Sequence, residues 1–373
     1  MADLEHPTVH VFGESDVGRT REHNEDAFAV ADLSTATKLP FVGRVPQTVT
    51  PGPRGLLFMV ADGMGGAAAG EIASSMAVDV VLQELSSRWS KAGAGDAGTF
   101  AAALQAAATV ANERIFQFAS EHPEYRGMGT TATIAGVLGD MLYIAQVGDS
   151  RAYLVRGDEA RQMTKDQSLM QRLIDAGEIT AEEAEVSDRR NIILQALGPE
   201  GVVSVDVTHQ ALRRGDTLVL CSDGLSGVVR DQEISRVAHE EPDVAALCAR
   251  LIEKANASGG PDNITVVAAR FEGPALVDAE PEDEVGHYEF PVPDLNTLIQ
   301  PTKDAPDSAS AAATAPPSAV IDVSPSASAI TEEIPAAVAT TPAIPARQGT
   351  LRLIAVILIA IAAVIAFTVW HRH

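Results

Sequence analysis

The chain has 373 residues, 46% of them apolar, which is room for a sizeable core and for about two domains at roughly 100–200 residues each. Its formal charge of −24, from 27 Lys and Arg against 51 Asp and Glu, excludes the clustered basic surface that nucleic-acid binding needs. Two cysteines, Cys221 and Cys248, stand outside any Cys-x-x-Cys pair and the nine histidines are scattered, so neither a disulfide scaffold nor a zinc site is legible.

Apolar runs predict strands near 9–14, 27–31 and 56–61, followed by two long helices over 68–88 and 100–120. Further strands are expected at 131–138, 142–147, 152–156, 203–207, 217–221 and 264–271. Helical periodicity marks 169–176, 232–239 and 244–256. Segment 39–55, with prolines at 40, 46, 51 and 53, reads as an enlarged hairpin loop, and 166–190 as a mobile flap. Strands, two helices, more strands, then terminal helices and a last strand is not the βαβα alternation of a doubly wound parallel sheet. The order predicts an α+β layered sandwich over residues 1–272.

Residues 273–350 change character. They carry 12 acidic and two basic residues in an Ala/Pro/Ser-rich stretch with no apolar period, which predicts a disordered linker. At about 5–6 Å × √n, some 75 residues reach on the order of 50 Å. Residues 351–373 end the sequence. Within them 353–370, LIAVILIAIAAVIAFTVW, is 18 residues without charge. As a helix it would be about 27 Å long, close to a bilayer's hydrocarbon thickness. Arg352 stands before it, and Trp370, His371 and Arg372 close it in the manner of interfacial anchors. A single membrane span is expected. The N-terminal MADLEHPTVH has neither a basic n-region nor an apolar h-region, which leads to the expectation of a cytoplasmic catalytic domain at the cell membrane.

The acidic residues are informative by position. Asp62 follows GLLFMVA, Asp149 follows LYIAQVG, Asp223 follows TLVLCS, and Asp262 precedes the final strand in GGPDNITVV. Arg21 with Glu25 and Asp26 precedes the second strand. Carboxylates gathered at strand ends would repel one another by several kcal/mol per close pair at an effective dielectric near 20. They are therefore either spread over the surface or held by cations. Carboxylate and carbonyl oxygens suit Mg²⁺ or Mn²⁺ rather than zinc.

The motifs SDVGRTREHNEDAF (15–28), VADGMGG (60–66), GTTATIAGV (129–137), VGDSRAYL (147–154), LCSDGLSGVV (220–229) and GGPDNITVVAAR (259–270) resemble the metal-dependent PP2C-type protein phosphatases, the bacterial branch most closely. The resemblance covers about residues 8–271. It implies a four-layer α/β/β/α sandwich with a binuclear Mn²⁺ or Mg²⁺ centre at one end of the paired sheets. It further implies that Asp62 bridges two metals, the Gly63 carbonyl binds one, and Asp223 and Asp262 complete the other shell. Glu25 would act through a coordinated water with Asp26 in support, Arg21 would clamp the substrate phosphate, and Asp149 would serve a weaker third metal. The implied reaction is hydrolysis of phosphoserine or phosphothreonine in proteins by metal-activated water. The implied partners are phosphorylated proteins, with serine/threonine kinases as the opposing enzymes, and the catalytic domain is expected to be monomeric.

Two positions depart from the family pattern. Met64 stands where the eukaryotic branch has a histidine two residues after the bridging aspartate. Gly227 stands where many relatives carry an acid, which leaves the third metal Asp149, Asp223 and a flap carboxylate such as Asp188. Two other readings remain open on sequence: DGMGGAAAG also fits a dinucleotide fingerprint, with Glu84 about twenty residues on. A non-catalytic phosphoprotein-binding module is the second.

Overall fold

The computed structural model describes residues 6–65, 69–90 and 96–292. The apolar segment 353–370 and most of the expected linker lie outside these residues. Among the described residues no helix is long and apolar enough to cross a membrane.

The first seven strands are β1 (Thr8–Asp16), β2 (Ala27–Asp32), β3 (Thr37–Lys38), β4 (Gln47–Val49), β5 (Leu56–Ala61), β6 (Gly63–Met64) and β7 (Gly129–Thr130). After them come β8 (Ala132–Leu138), β9 (Met141–Val147), β10 (Arg151–Arg156), β11 (Glu159–Gln162), β12 (Asp206–Ala211), β13 (Thr217–Cys221) and β14 (Ile264–Glu272). The helices are α1 (Ala69–Glu84), α2 (Ala97–Glu121), α3 (Leu169–Asp175), α4 (Ala181–Glu185), α5 (Asp223–Ser226), α6 (Asp231–Glu240) and α7 (Val244–Ala257). One six-stranded sheet has the order β11-β10-β13-β14-β1-β4, the other β12-β9-β8-β5-β2-β3, and β6 pairs with β7 alone. Every described strand pair is antiparallel. No parallel βαβ unit therefore follows the Gly-rich turn after β5, and the dinucleotide reading loses its fold.

β5 shows why the layers stack as they do. Leu57, Met59 and Ala61 pack under α1 and α2 with Ala73, Ala77, Val81 and Phe100. Leu56, Phe58 and Val60 point the other way, into the space between the sheets with Val267, Ala269 and Phe271. A strand buried on both faces must read as a continuous apolar run, as this one does. The second sheet is covered by α6 and α7, whose Ile234, Leu247 and Leu251 meet Val219, Cys221 and Val266. The result is the expected α/β/β/α sandwich.

Several boundaries differ from expectation. The strand expected at 203–207 starts at Asp206, because pairing to β9 aligns Asp206 with Gln146 and continues to Ala211 opposite Met141. The helix expected to reach residue 88 passes at Leu85 into a π-helical turn that buries Trp89, whose indole donates to the Arg54 carbonyl at 2.9 Å. Segment 39–55 is more than a loop, since β4 pairs along β1 and Phe41 packs on Phe12 and Phe28. Segment 166–190 contains α3 and α4, the latter with a Thr180–Glu183 capping box.

The expected linker also begins too early at residue 273. Residues 273–292 form a strap along the open side of β12. The His209 amide donates to the Tyr288 carbonyl and the Phe290 amide to the Val207 carbonyl. Leu276 is 1% exposed. Asp283 accepts two 2.7 Å hydrogen bonds from the Arg213 fork, which hold its carboxyl well below the usual range. The strap's pattern gives no sign of order because its apolar residues are few and spaced without period; their partners lie on the domain. Ending the chain at Glu272 removes the buried Leu276, worth about 1.5–3 kcal/mol, and strips Arg213 of its carboxylate. Relative to a chain ending at 292, its melting temperature is expected to fall by roughly 5–10 °C in calorimetry; equal melting would show that the strap carries no load.

Candidate metal centre

One end of the sandwich collects the acids. Asp62 leaves β5, Asp149 sits between β9 and β10, Asp223 opens α5 after β13, and Asp262 precedes β14. Arg21, Glu25 and Asp26 come in on the loop before β2. The backbone of Asp62 is fixed on both sides. Its amide donates to Thr131 Oγ1 at 2.9 Å, and its carbonyl accepts from the Thr131 amide and from Thr130 Oγ1, each at 2.9 Å. Gly63 must be glycine, since a Cβ there would lie 2.2 Å from the Gly70 carbonyl oxygen. A Cβ on Gly70 would in turn lie 2.9 Å from both the Gly63 carbonyl oxygen and the Glu25 carboxyl carbon. The first turn of α1 thus brings the Gly63 carbonyl and the Glu25 side chain to one place. Ser74 on α1 also holds the Glu25 carbonyl at 2.6 Å.

The electrostatics are those of acids forced together. Burial raises the Asp62 carboxyl well above the carboxylate range, and the charges of Asp26, Asp223, Asp149 and Asp262 raise it further. Asp26 is pushed up to about 7 by burial and by Asp223 and Asp262, against the pull of hydrogen bonds from Thr265 and Ser222. Asp149, 7% exposed, is also pushed up to about 7 by burial and by Asp223 and Asp166, with Arg151 opposing. Asp223 is raised by burial and Asp262, while a hydrogen bond to Asp62 works the other way. Arg21, its side chain 48% exposed, binds Asp262 Oδ2 at 2.8 Å on the rim.

Cations fit this set. Asp26 Oδ1, Asp149 Oδ1 and Asp223 Oδ1 are buried oxygens without a hydrogen-bond donor. Acceptors left that way are costly unless a positive charge takes their lone pairs. The donors are oxygens only, as hard divalent ions prefer. Among the described residues no three His, Cys, Asp or Glu side chains already close on a single point.

The third-metal residues are not assembled alike. Gly227 offers no side chain, and a Cβ there would press to 2.8 Å on the Asp223 carbonyl. Asp188 is exposed on the flap segment and has no described hydrogen bond or ion pair to the cluster. The flap's root is tied in: the Gln167 amide donates to the Gly148 carbonyl and the Gly148 amide to Gln167 Oε1, both at 2.9 Å. Asp166 is taken up by Arg151 through Nε and Nη2.

Sequence reasoning missed the polar residues that hold these acids. Ser222 and Thr265 each donate to Asp26 Oδ2 at 2.7 Å. Asn263 ties down the Arg21 loop, and Thr130 and Thr131 clamp Asp62. Their signal was present as hydroxyls and amides flanking the aspartates at the ends of otherwise apolar strands.

Comparison with known proteins agrees with the geometry. The protein phosphatase 2C family model matches residues 48–262. The serine/threonine phosphatase stp of Listeria innocua is 38% identical over 259 residues, covering 69% of this chain and 94% of that one. The crystal structure of the Mycobacterium tuberculosis serine/threonine phosphatase PstP/Ppp superposes with a TM-score of 0.59 at 36% identity, covering 71% of this chain and all of that one. A PstP catalytic domain in complex with two manganese ions gives a TM-score of 0.58 at 35% identity, over 72% of this chain and all of that one. On this match of sequence, fold and acidic cluster, the chain belongs to the protein phosphatase 2C family.

Proposed function

We propose that this chain hydrolyses phosphoserine and phosphothreonine esters in proteins, using two divalent cations, Mn²⁺ or Mg²⁺, and opposing serine/threonine kinases. The observation that carries the reading is the trio of buried, donorless aspartate oxygens (Asp26, Asp149 and Asp223) beside a half-exposed guanidinium. When bound, the ions supply Lewis acidity and bring the pKa of water to near neutrality. Asp62, the Gly63 carbonyl, Asp223 and Asp262 would hold them, with Glu25 in support. Arg21 has five N–H donors and grips the equatorial phosphate oxygens, where charge develops. Ser222 and Thr265 occupy one oxygen of Asp26, which leaves Oδ1 free to orient water. A cysteine nucleophile is disfavoured: Cys221 is fully buried and burial pushes its thiol up to about 12. A binding module without turnover would lack one of these acids, and all of them are in place.

Manganese-dependent release of phosphate from a phosphothreonine peptide tests the reading. Asp62→Ala is expected to reduce kcat by about 10²–10³-fold, the scale of a lost transition-state charge partner. A chain inert with every divalent metal, or unaffected by Asp62→Ala, contradicts it.

Metal removal has a signed pH consequence. Asp26 and Asp149 rise from 3.8 to about 7 on folding without metal. Between these values the folded state keeps protons that the unfolded state has released, so stability falls as pH rises through the window. The melting temperature of the metal-free protein is expected to drop from pH 6 to pH 8, and to drop less in Asp26→Asn. Mn²⁺ at 100 times its Kd is expected to restore about 2.7 kcal/mol at pH 8. A metal-free protein that melts higher at pH 8 than at pH 6 would reverse the sign and defeat this account.

The place of action is part of the proposal. An uncharged 18-residue apolar run at 353–370, flanked by Arg352 and by Trp370 with Arg372, supports a single-pass anchor at the cell membrane with the catalytic unit in the cytoplasm. Tethering raises the effective concentration of substrates on the same surface, in keeping with membrane-held kinases. The full chain is expected to stay in the membrane fraction through a high-salt wash and to enter the supernatant when residues after 350 are deleted. Release of the full chain by salt would refute the anchor.

A further inference from the structure

We infer that Asn263 is a positioning residue for phosphate binding, its buried carboxamide setting the shape of the 17–25 loop from which Arg21 projects. The inference rests on the reading of Arg21 as the phosphate ligand. Asn263 is 3% exposed and stands at the start of β14, next to Asp262. Its Nδ2 donates to the Val17 carbonyl at 3.0 Å and to the His23 carbonyl at 2.9 Å. Its Oδ1 accepts from the Glu25 amide at 2.8 Å. Both amide hydrogens and the amide oxygen are therefore spent on the backbone of one loop. Arg21 lies between the anchored positions, so the three bonds bracket it from both sides.

The rest of the loop is docked on the same segment. Asp16 Oδ1 accepts from the Gly18 amide at 2.9 Å and from Asn256 Nδ2 at 3.1 Å, and the Arg19 amide donates to the Gly260 carbonyl at 2.8 Å. Gly18 has φ +80° and approaches so closely that a Cβ would stand 2.1 Å from the Asp262 carbonyl oxygen. Asp262, the Arg21 guanidinium and the loop backbone thus form one unit whose interior is filled by the Asn263 side chain. A guanidinium on a half-exposed side chain costs entropy to immobilise, and a loop fixed beforehand lowers that cost. No aliphatic residue can replace the amide, because two carbonyls and one N–H of the loop would lose their only protein anchor on this segment. Aspartate, nearly isosteric, cannot replace it either, because its oxygens would face the Val17 and His23 carbonyls.

Asn263→Ala and Asn263→Asp separate this role from simple support of the fold. In the manganese-loaded protein, kcat/KM on a phosphothreonine peptide is expected to fall about 10²-fold, carried mainly by KM. The Kd for inorganic phosphate, read by calorimetry, is expected to rise in parallel. In an Arg21→Ala background the same change is expected to cost at least about tenfold less than in the unmodified chain, since most of its effect runs through the placement of Arg21. The Glu25 amide of the unmodified chain is expected to be protected from hydrogen exchange, a readout that needs no variant. Unchanged phosphate affinity in either variant, an equal loss in the Arg21→Ala background, or rapid exchange at Glu25 would overturn the inference. Absence of turnover by the unmodified chain would count against the phosphatase reading instead, leaving phosphate calorimetry and exchange to decide the role of Asn263.

Discussion

The mutual repulsion of four aspartates at one end of a two-sheet sandwich is the constraint on which this molecule turns. Burial raises the carboxyls of Asp62, Asp26, Asp149 and Asp223, and the charges of neighbouring aspartates raise each of them further. The fold tolerates this because the groups holding the acids are built into strands that cannot easily yield. β5 is buried on both faces, so Asp62 cannot retreat without dragging Leu56–Ala61 out of two cores. Thr130 and Thr131 then fix its backbone from the neighbouring strands. The site is a strained arrangement of like charges, stable as a working unit when cations bind.

Positive charge from the protein is sparing and placed at different depths. Arg151 is half-buried, locked to Asp166 and hydrogen-bonded to Tyr153, and its charge opposes the rise of Asp149 and Asp223. Arg21 stays on the rim, half exposed, where an incoming phosphate can reach it. In the proposed function, the fixed inner cation helps to hold the cluster and the accessible outer one is left for the substrate. Elsewhere, Arg156 pairs with the buried Asp216 and Arg213 with Asp283, which ties the end of β10 to the strap. These pairs are structural and stand apart from the acids of the site.

The layered fold and the acids were legible because both are written in local pattern. GLLFMVA before Asp62 and TLVLC before Ser222 and Asp223 are runs that only a doubly buried strand explains, and the helices over α1, α2 and α7 have clear apolar periodicity. What escaped notice depends on distant partners. The edge strand β12 escapes the apolar pattern because its buried Thr208 and Gln210 are polar, and its register comes from β9 and the strap. The strap itself was read as linker, since the value of Asp283 lies in Arg213, 70 residues away. The role of Asn263 is invisible locally, its three backbone partners lying 238 to 246 positions earlier. Asp188 is exposed on the flap, a placement that depends on how segment 166–190 packs and not on local pattern.

Anomalous scattering from crystals grown with Mn²⁺ tests the central claim most directly, because it locates the ions independently of any activity. The account predicts two strong manganese peaks in contact with Asp62, one also touching the Gly63 carbonyl and the other Asp223 and Asp262. Peaks elsewhere, or an Asp62 carboxylate that touches no ion at saturating manganese, would contradict it.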